Sequence, residues 1–299
     1  MCPWRSSRLT EKAMFLLLSV FFSLLVVFLT CSPAWAWGPA THLELARELL
    51  AGRDLLPPAV AAVLSRYPYD FLYGNIAADM VVGKKFVDPL RHCHIWPVAF
   101  ELHDQAASPA RQSFVYGYLA HLAADVVAHN SFVPSRIVQY YHKRGALHLY
   151  WEMRFEVSVP RALWKYAHLI SRRSRWDNDP LLAETITPTL FSFPVNRRIF
   201  NTMLLLNRTR RWQRLLLRLD QSPHYALSGE DVQHFKRKSV DNMVEILNNL
   251  NDSPLCAQDP RGEQSLARAK KIGRRLRSRG LSAVTDAQLR EQVQLFMEK

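Results

Sequence analysis

The chain has 299 residues, of which 48% are hydrophobic and 22% are charged, so length and composition predict a folded protein and exclude a disordered chain. Its formal net charge of +13 favours an anionic partner, membrane or nucleic acid, without choosing between them. The sequence contains no Gly-rich phosphate loop, no G-x-S-x-G nucleophile motif and no alternating strand pattern. These absences argue against a nucleotide-binding protein and against a serine hydrolase.

Residues 1–36 have the pattern of a secretory signal peptide. Three basic residues precede an apolar run over residues 13–30, and the stretch closes on Ala34-Trp35-Ala36, an A-x-A cleavage site. We predict cleavage after Ala36 rather than a retained transmembrane anchor, for which the apolar run is just long enough. Cleavage removes three basic residues and one acidic residue, so the net charge falls from +13 to +11. The protein is therefore expected to be exported, periplasmic or extracellular, with membrane association left open.

In an oxidising compartment the two cysteines that remain after cleavage, Cys93 and Cys256, can pair with each other. Two cysteines are too few for a disulfide scaffold.

The first elements of the mature chain are predicted to be short helices. Thr41 and Glu44 form a capping-box pattern, which predicts a helix from His42 to about residue 50. Pro57-Pro58 predicts a second helix, to about Arg66. The Gly-containing segment Tyr73–Asp79 is interpreted as a turn-rich passage that ends on an acid.

A long helix beginning at Ser108-Pro109 carries the pattern on which the rest depends. His121, Asp125 and His129 recur every fourth residue in an apolar segment. A four-residue step returns to nearly the same helix face, so the spacing predicts that all three side chains point one way. A buried helix with three polar groups in one apolar layer favours a metal site over a purely structural network.

Two further groups of metal-binding residue types flank that helix. His92-Cys93-His94 precedes it, with either histidine able to act as the ligand. His148 and Glu152 follow it, four residues apart and thus on one helix face.

The remainder of the chain is interpreted as helical scaffold. Residues 196–219 predict one amphipathic helix, and Ser228 with Asp231 predicts the start of another that reaches about residue 250. A basic stretch over residues 261–279 suits either an anionic membrane surface or a solvated helix face. We predict a helical domain over residues 37–255 and a basic helical extension over 256–299.

The ordered set resembles the zinc-dependent phospholipase C family, whose relatives are glycosylphosphatidylinositol-specific phospholipase D and the single-strand-specific zinc nucleases. The resemblance covers about residues 37–152: an N-terminal Trp, an early His, an Asp, an isolated His, an H-x-x-x-D ladder with a third His, and a final H-x-x-x-E.

The resemblance implies an all-α fold, a single helical domain of this phospholipase C and nuclease type, with two or three zinc ions. One zinc would be held by Trp37, through its free amine and carbonyl, with His42 and Asp125. A second would be held by His94, His121 and Asp125, and a third by His129, His148 and Glu152. Asp79 would orient or deprotonate the attacking water. His94 is chosen over His92 because it lies nearer the following aromatic segment.

One spacing departs from the secreted phospholipases C and the nucleases. Their third ladder His usually lies six residues after the Asp, whereas His129 lies four after Asp125. The shorter spacing looks more like the phospholipase D branch. The resemblance therefore decides neither which bond is cleaved nor how many zinc ions are bound. Three functions are therefore carried forward: a phospholipid phosphodiesterase, a nuclease on the same site, and a non-catalytic, membrane-associated helical protein.

Overall fold

The computed structural model describes residues 37–81, 87–142, 147–173, 175–186, 189–207, 209, 214, 227–280 and 284–298. All regular elements of these residues are helical, which confirms the expected all-α fold. The helices are α1 (Pro39–Ala51), α2 (Pro58–Arg66), α3 (Pro68–Ala77), α4 (Trp96–Asp104), α5 (Pro109–Val127), α6 (Val133–Gln139), α7 (Leu147–Val157), α8 (Arg161–Arg173), α9 (Arg175–Thr185), α10 (Phe193–Asn207), α11 (Gly229–Asn249), α12 (Glu263–Ser278) and α13 (Asp286–Met297).

Helix α5 is the central element of the fold. Ser108 caps it by accepting a hydrogen bond from the Arg111 N–H at 3.3 Å, as the Ser-Pro pair predicts. Every residue from Gly117 to Val127 is buried, because α3 and α11 both pack along α5. These are the two most extensive helix–helix contacts among the described residues. A helix that is apolar all round needs neighbours on every side, and this one has them.

A π-helical turn, Ala128–Phe132, joins α5 to α6 and contains His129. Such a turn holds one extra residue per hydrogen-bonded ring, so it rotates the following side chains away from the α-helical register. The backbone of Val127 and Ala128 is still α-helical, so His129 keeps its four-residue step from Asp125, and the turn changes the register of the residues that follow.

Two local predictions are wrong. The segment predicted as turn-rich continues α3 and then forms a 3₁₀ turn, Ala78–Met80, because Gly74 serves a close helix contact rather than a turn. The predicted Thr41–Glu44 capping box does not form: α1 begins earlier, at Pro39, and Glu44 instead pairs with Lys236 at 2.6 Å. In both places a distant residue overrides the local signal.

The chain after residue 255 packs on the rest of the fold. Helices α12 and α13 both lie against α6 and the π-helical turn, and their apolar residues join the main core. Of the helix predicted over residues 196–219, the structure describes α10, which ends at Asn207, and the predicted remainder lies almost wholly outside the described residues.

The predicted signal peptide also lies outside the described residues. Among the helices that the structure describes, none combines the length and apolar character that crossing a bilayer requires.

Cys93 and Cys256 are both free thiols in this structure. Cys93 is buried, and its Sγ lies 3.2 Å from His94 Nδ1.

Candidate metal centre

Asp125 lies at the centre of the first group of metal-binding side chains. Its Oδ1 is 3.2 Å from His42 Nε2, and its Oδ2 is 3.3 Å from His121 Nε2 and 3.4 Å from His94 Nε2. All four side chains are fully buried, and they come from α1, α5 and the segment before α4. A single carboxylate thus faces three imidazoles, which is the arrangement of a bridging ligand.

Asp79 adds a second carboxylate to this group. Its Oδ1 lies 3.3 Å from His94 Nε2, and Asp79, His94 and His121 have donor atoms close enough to share one ion. The 3₁₀ turn after α3 directs Asp79 toward α5. The position is compatible with the expected role toward water and also with direct ligation.

His94, rather than His92, contacts the metal-binding residues of α5, Asp125 and His121. His92 Nδ1 accepts a hydrogen bond from the backbone N–H of His94 at 3.0 Å. This contact fixes the segment in which His94 turns its Nε2 toward Asp125.

The second group consists of His129, His148 and Glu152. Glu152 Oε1 is 2.7 Å from His148 Nε2 and 3.7 Å from His129 Nε2. His129 lies in the π-helical turn, and its Nε2 faces Glu152 of α7. His148 is 24% exposed whereas His129 and Glu152 are buried, so this group opens toward solvent on the His148 side.

Backbone carbonyls fix which ring nitrogen each ladder histidine offers. His121 Nδ1 lies 2.9 Å from the Asn75 carbonyl, and His129 Nδ1 lies 2.7 Å from the Pro260 carbonyl. A carbonyl oxygen only accepts, so both Nδ1 atoms carry the proton and both Nε2 atoms keep a lone pair for a metal. Pro260 lies in the segment before α12, so the chain after residue 255 orients a predicted ligand.

Burial and mutual contact shift the pKa values of these groups. Burial, then nearby His121, lowers the pKa of His42. Burial would raise the pKa of Asp125, but His121 and His42 outweigh it and hold that pKa well below its usual value. Burial raises the pKa of Glu152, and burial together with Lys270 lowers the pKa of His148 to about 4. The lowered pKa values of His42 and His148 favour the neutral imidazole that a metal ligand needs. Burial would also lower the pKa of His121, but Asp125 outweighs burial and raises that pKa.

Buried polar atoms without hydrogen-bond partners show whether these two groups would accommodate a metal ion. Within the described residues, no hydrogen bond of acceptable geometry reaches either oxygen of Asp125 or Glu152, either ring nitrogen of His42, or the Nε2 of His129 and His148. Buried polar atoms normally have partners, and so many orphans in two adjoining clusters are costly unless a cation binds them. Imidazole nitrogen and carboxylate oxygen are donors that zinc accepts, so the residues fit zinc.

The side chain of Trp37, the predicted N-terminal ligand, packs beside the first group of metal-binding residues. Its indole is fully buried against Phe132 and Phe155, and its Nε1 donates to the Ala124 carbonyl at 3.1 Å. Ala124 directly precedes Asp125, so residue 37 is anchored next to the central carboxylate.

Sequence reasoning missed Glu156, which positions α1. Its carboxylate accepts hydrogen bonds from the N–H groups of Ala40 at 2.7 Å and Thr41 at 3.0 Å and from the Thr41 hydroxyl. These two N–H groups belong to the first turn of α1, where no intrahelical acceptor exists. Burial raises the pKa of Glu156 to about 7. Its spacing of four residues from Glu152 on an apolar helix was the available signal.

Replacing Glu156 with Met should weaken both the fold and the first metal group. Methionine keeps an unbranched shape but removes both acceptors, leaving two buried N–H groups unsatisfied at a cost of about 1–3 kcal/mol in the free energy of unfolding. Because His42 is carried on α1, we also expect zinc affinity to fall roughly 10-fold. Denaturant unfolding and chelator competition measure the two effects. Glu48→Met, at an exposed position of the same helix, is the matched control, and equal behaviour of the two variants would refute the assigned role.

Comparison with known proteins was made against families, individual proteins and structures. A family model described as zinc dependent phospholipase C matches residues 41–189. The matched range contains every predicted site residue except Trp37. No curated protein and no solved structure matches the chain.

Proposed function

Because residues 41–189 belong to the zinc-dependent phospholipase C family, we propose that the protein is an exported zinc-dependent phosphodiesterase that hydrolyses phospholipids. The observation that carries the proposal is the pair of adjoining buried donor groups, around Asp125 and around Glu152, in which both oxygens of each carboxylate and several imidazole nitrogens have no hydrogen bond of acceptable geometry among the described residues. A purely structural network would satisfy those atoms internally.

The site residues divide by what they would do. His42, His94, His121 and Asp125 would hold zinc in the first group, and His129, His148 and Glu152 in the second. Zinc bound there supplies Lewis-acid activation of water and neutralises charge that develops on phosphoryl oxygens. The Asn75 and Pro260 carbonyls keep the ladder imidazoles in the required tautomer.

Asp79 is the residue proposed to act on water. Its carboxylate borders the first group and can accept a proton from a water molecule held against a phosphodiester. Direct attack by water requires no Ser or Cys nucleophile, and the sequence contains no G-x-S-x-G motif.

Export would complete the site at Trp37. Cleavage after Ala36 would leave the amine of Trp37 free, and the burial of its indole beside Ala124 supports a role for that terminus at the first group.

Intact mass and metal content of the secreted protein test the proposal together. We expect a chain that begins at Trp37, carries two or three zinc ions, and releases phosphorylated headgroup from phosphatidylcholine until a chelator is added. Less than one zinc per chain would favour a non-catalytic helical protein. Release of nucleotides from single-stranded DNA without lipid hydrolysis would favour a nuclease on the same site, since the basic charge attracts either polyanion.

A further inference from the structure

Helices α8 and α10 form a surface that the metal centre does not use. The two helices lie side by side: Ser171 Oγ donates to Asn201 Oδ1 at 2.6 Å, and Arg197 donates to the Ser171 carbonyl at 2.8 Å. Arg197 also pairs with Asp179 of α9, whose carboxylate accepts from Tyr73 of α3. The pair of helices is therefore fixed to the body of the protein and not to each other alone.

The outward face of each helix mixes cations with leucines. On α8 the exposed positions recur at helical spacing, and so do those on α10. We define the α8–α10 surface as Lys165, Leu169, Arg172, Arg198, Leu205 and Leu206. Its three leucines are 51%, 46% and 55% exposed, which is high for side chains of that size.

The surface carries no acidic residue of its own. Neither α8 nor α10 contains Asp or Glu, and residues 185–219 contain none either, although they include seven arginines. Because no charge on these helices compensates the cations, the surface attracts anions.

The basic helix α12 makes an informative contrast. It exposes at least as many cations, Arg274 and Arg275 among them, but none of the large exposed hydrophobic side chains in the described residues belongs to it. Insertion at a bilayer interface needs apolar side chains that enter the headgroup region together with cations that remain among the phosphates. Within the part of the chain that the structure describes, the α8–α10 surface places three exposed leucines among cations on adjoining helices.

Helices α8 and α10 also contact elements that carry residues of the metal centre. Helix α10 packs against the 3₁₀ turn Ala78–Met80, which carries Asp79, and α8 packs against α1 and α3. Helix α10 would lie between a bilayer seated on this surface and the turn that carries Asp79.

We infer that the α8–α10 surface is where the protein docks on a bilayer that contains anionic phospholipid. The inference rests on the proposed phospholipid hydrolysis. It adds to that proposal the face of the protein that contacts the bilayer containing the substrate. Arginine and lysine side chains bind the lipid phosphates, and the leucines enter the interface.

Charge reversal tests whether the cations of the α8–α10 surface bind lipid phosphates. In the zinc-loaded full chain, Arg172→Glu/Arg198→Glu should weaken binding to vesicles of phosphatidylcholine containing phosphatidylglycerol by about 10-fold or more. The matched control is Arg274→Glu/Arg275→Glu on α12, which changes the net charge by the same amount. Equal weakening by both pairs would overturn the inference, because binding would then follow net charge alone.

Leucine replacement tests whether the leucines of the α8–α10 surface enter the bilayer interface. Leu169→Ser/Leu206→Ser should lower binding to the same vesicles, whereas Leu55→Ser, at a position 66% exposed outside this surface, should not. Unchanged binding of the double variant would overturn the inference.

A soluble substrate separates this inference from the proposed function. With short-chain phosphatidylcholine below its micelle concentration, the surface variants should turn over at the parent rate while losing turnover on vesicles. No hydrolysis of the soluble lipid by the parent protein would refute the proposed function and leave the vesicle-binding result to decide the surface. Parent-like turnover of the variants on vesicles, or charge reversal that weakens only single-stranded DNA binding, would refute the surface.

Discussion

Asp125→Asn should remove at least one zinc ion per chain and lower turnover of phospholipid by about 100-fold or more. Asparagine has the volume of aspartate but lacks the negative charge, and its amide nitrogen donates where a ligand must accept. Because Asp125 faces His42, His94 and His121 within 3.4 Å, the loss affects every residue of the first group at once. Metal analysis after gel filtration, with steady-state kinetics on phosphatidylcholine, measures both effects.

Asp104→Asn is the matched control for that experiment. Asp104 ends α4 and is 81% exposed, so the same chemical change there should leave zinc content and turnover at the parent level. Far-UV circular dichroism establishes that each variant is folded. A folded Asp125→Asn protein with full zinc and full activity would exclude Asp125 as the bridging ligand.

Local spacing was enough to predict some of the metal centre. The four-residue steps His121 to Asp125 and His148 to Glu152 bring each pair together, since both lie in uninterrupted α-helix. The order of the motifs, through the family resemblance, predicted that His129 joins His148 and Glu152 and not Asp125. The four-residue spacing alone predicted a shared helix face and gave no information on which other side chains His129 would join.

The supporting contacts could not be predicted in the same way. The Asn75 and Pro260 carbonyls are backbone groups, so their residue types carry no signal, and Pro260 lies 131 positions from His129. Glu156 reaches α1 across 116 positions, which explains why a local capping box seemed the better interpretation of Thr41 and Glu44. Long-range partners of this kind are set by helix packing and not by spacing along the chain.

The contact between α3 and α5 shows how closely that packing and the site are linked. A Cβ on Gly74 would overlap the carbonyl oxygen of Phe114, and a Cβ on Gly117 would overlap that of Phe71. The two glycines therefore let the backbones of α3 and α5 approach more closely than any other residue permits. This close approach brings the Asn75 carbonyl to His121 and carries the following turn, with Asp79, to His94.

Gly74→Ala should consequently destabilise the protein by about 3 kcal/mol or more, because the atom that blocks the new methyl group is a helix carbonyl and cannot rotate away. We expect zinc affinity to fall with stability, since separating α3 from α5 draws Asn75 and Asp79 away from their histidines. Gly229→Ala is the control: a Cβ there meets nothing within 4 Å, and alanine in a helix should be neutral or stabilising by roughly 0.5 kcal/mol. In denaturant unfolding, the double variant Gly74→Ala/Gly117→Ala should lose less than the sum of the single losses, because one separation of the helices accommodates both methyl groups. A Gly74→Ala protein as stable as the Gly229→Ala control, with its zinc affinity intact, would show that close contact of α3 with α5 is not what holds the metal centre together.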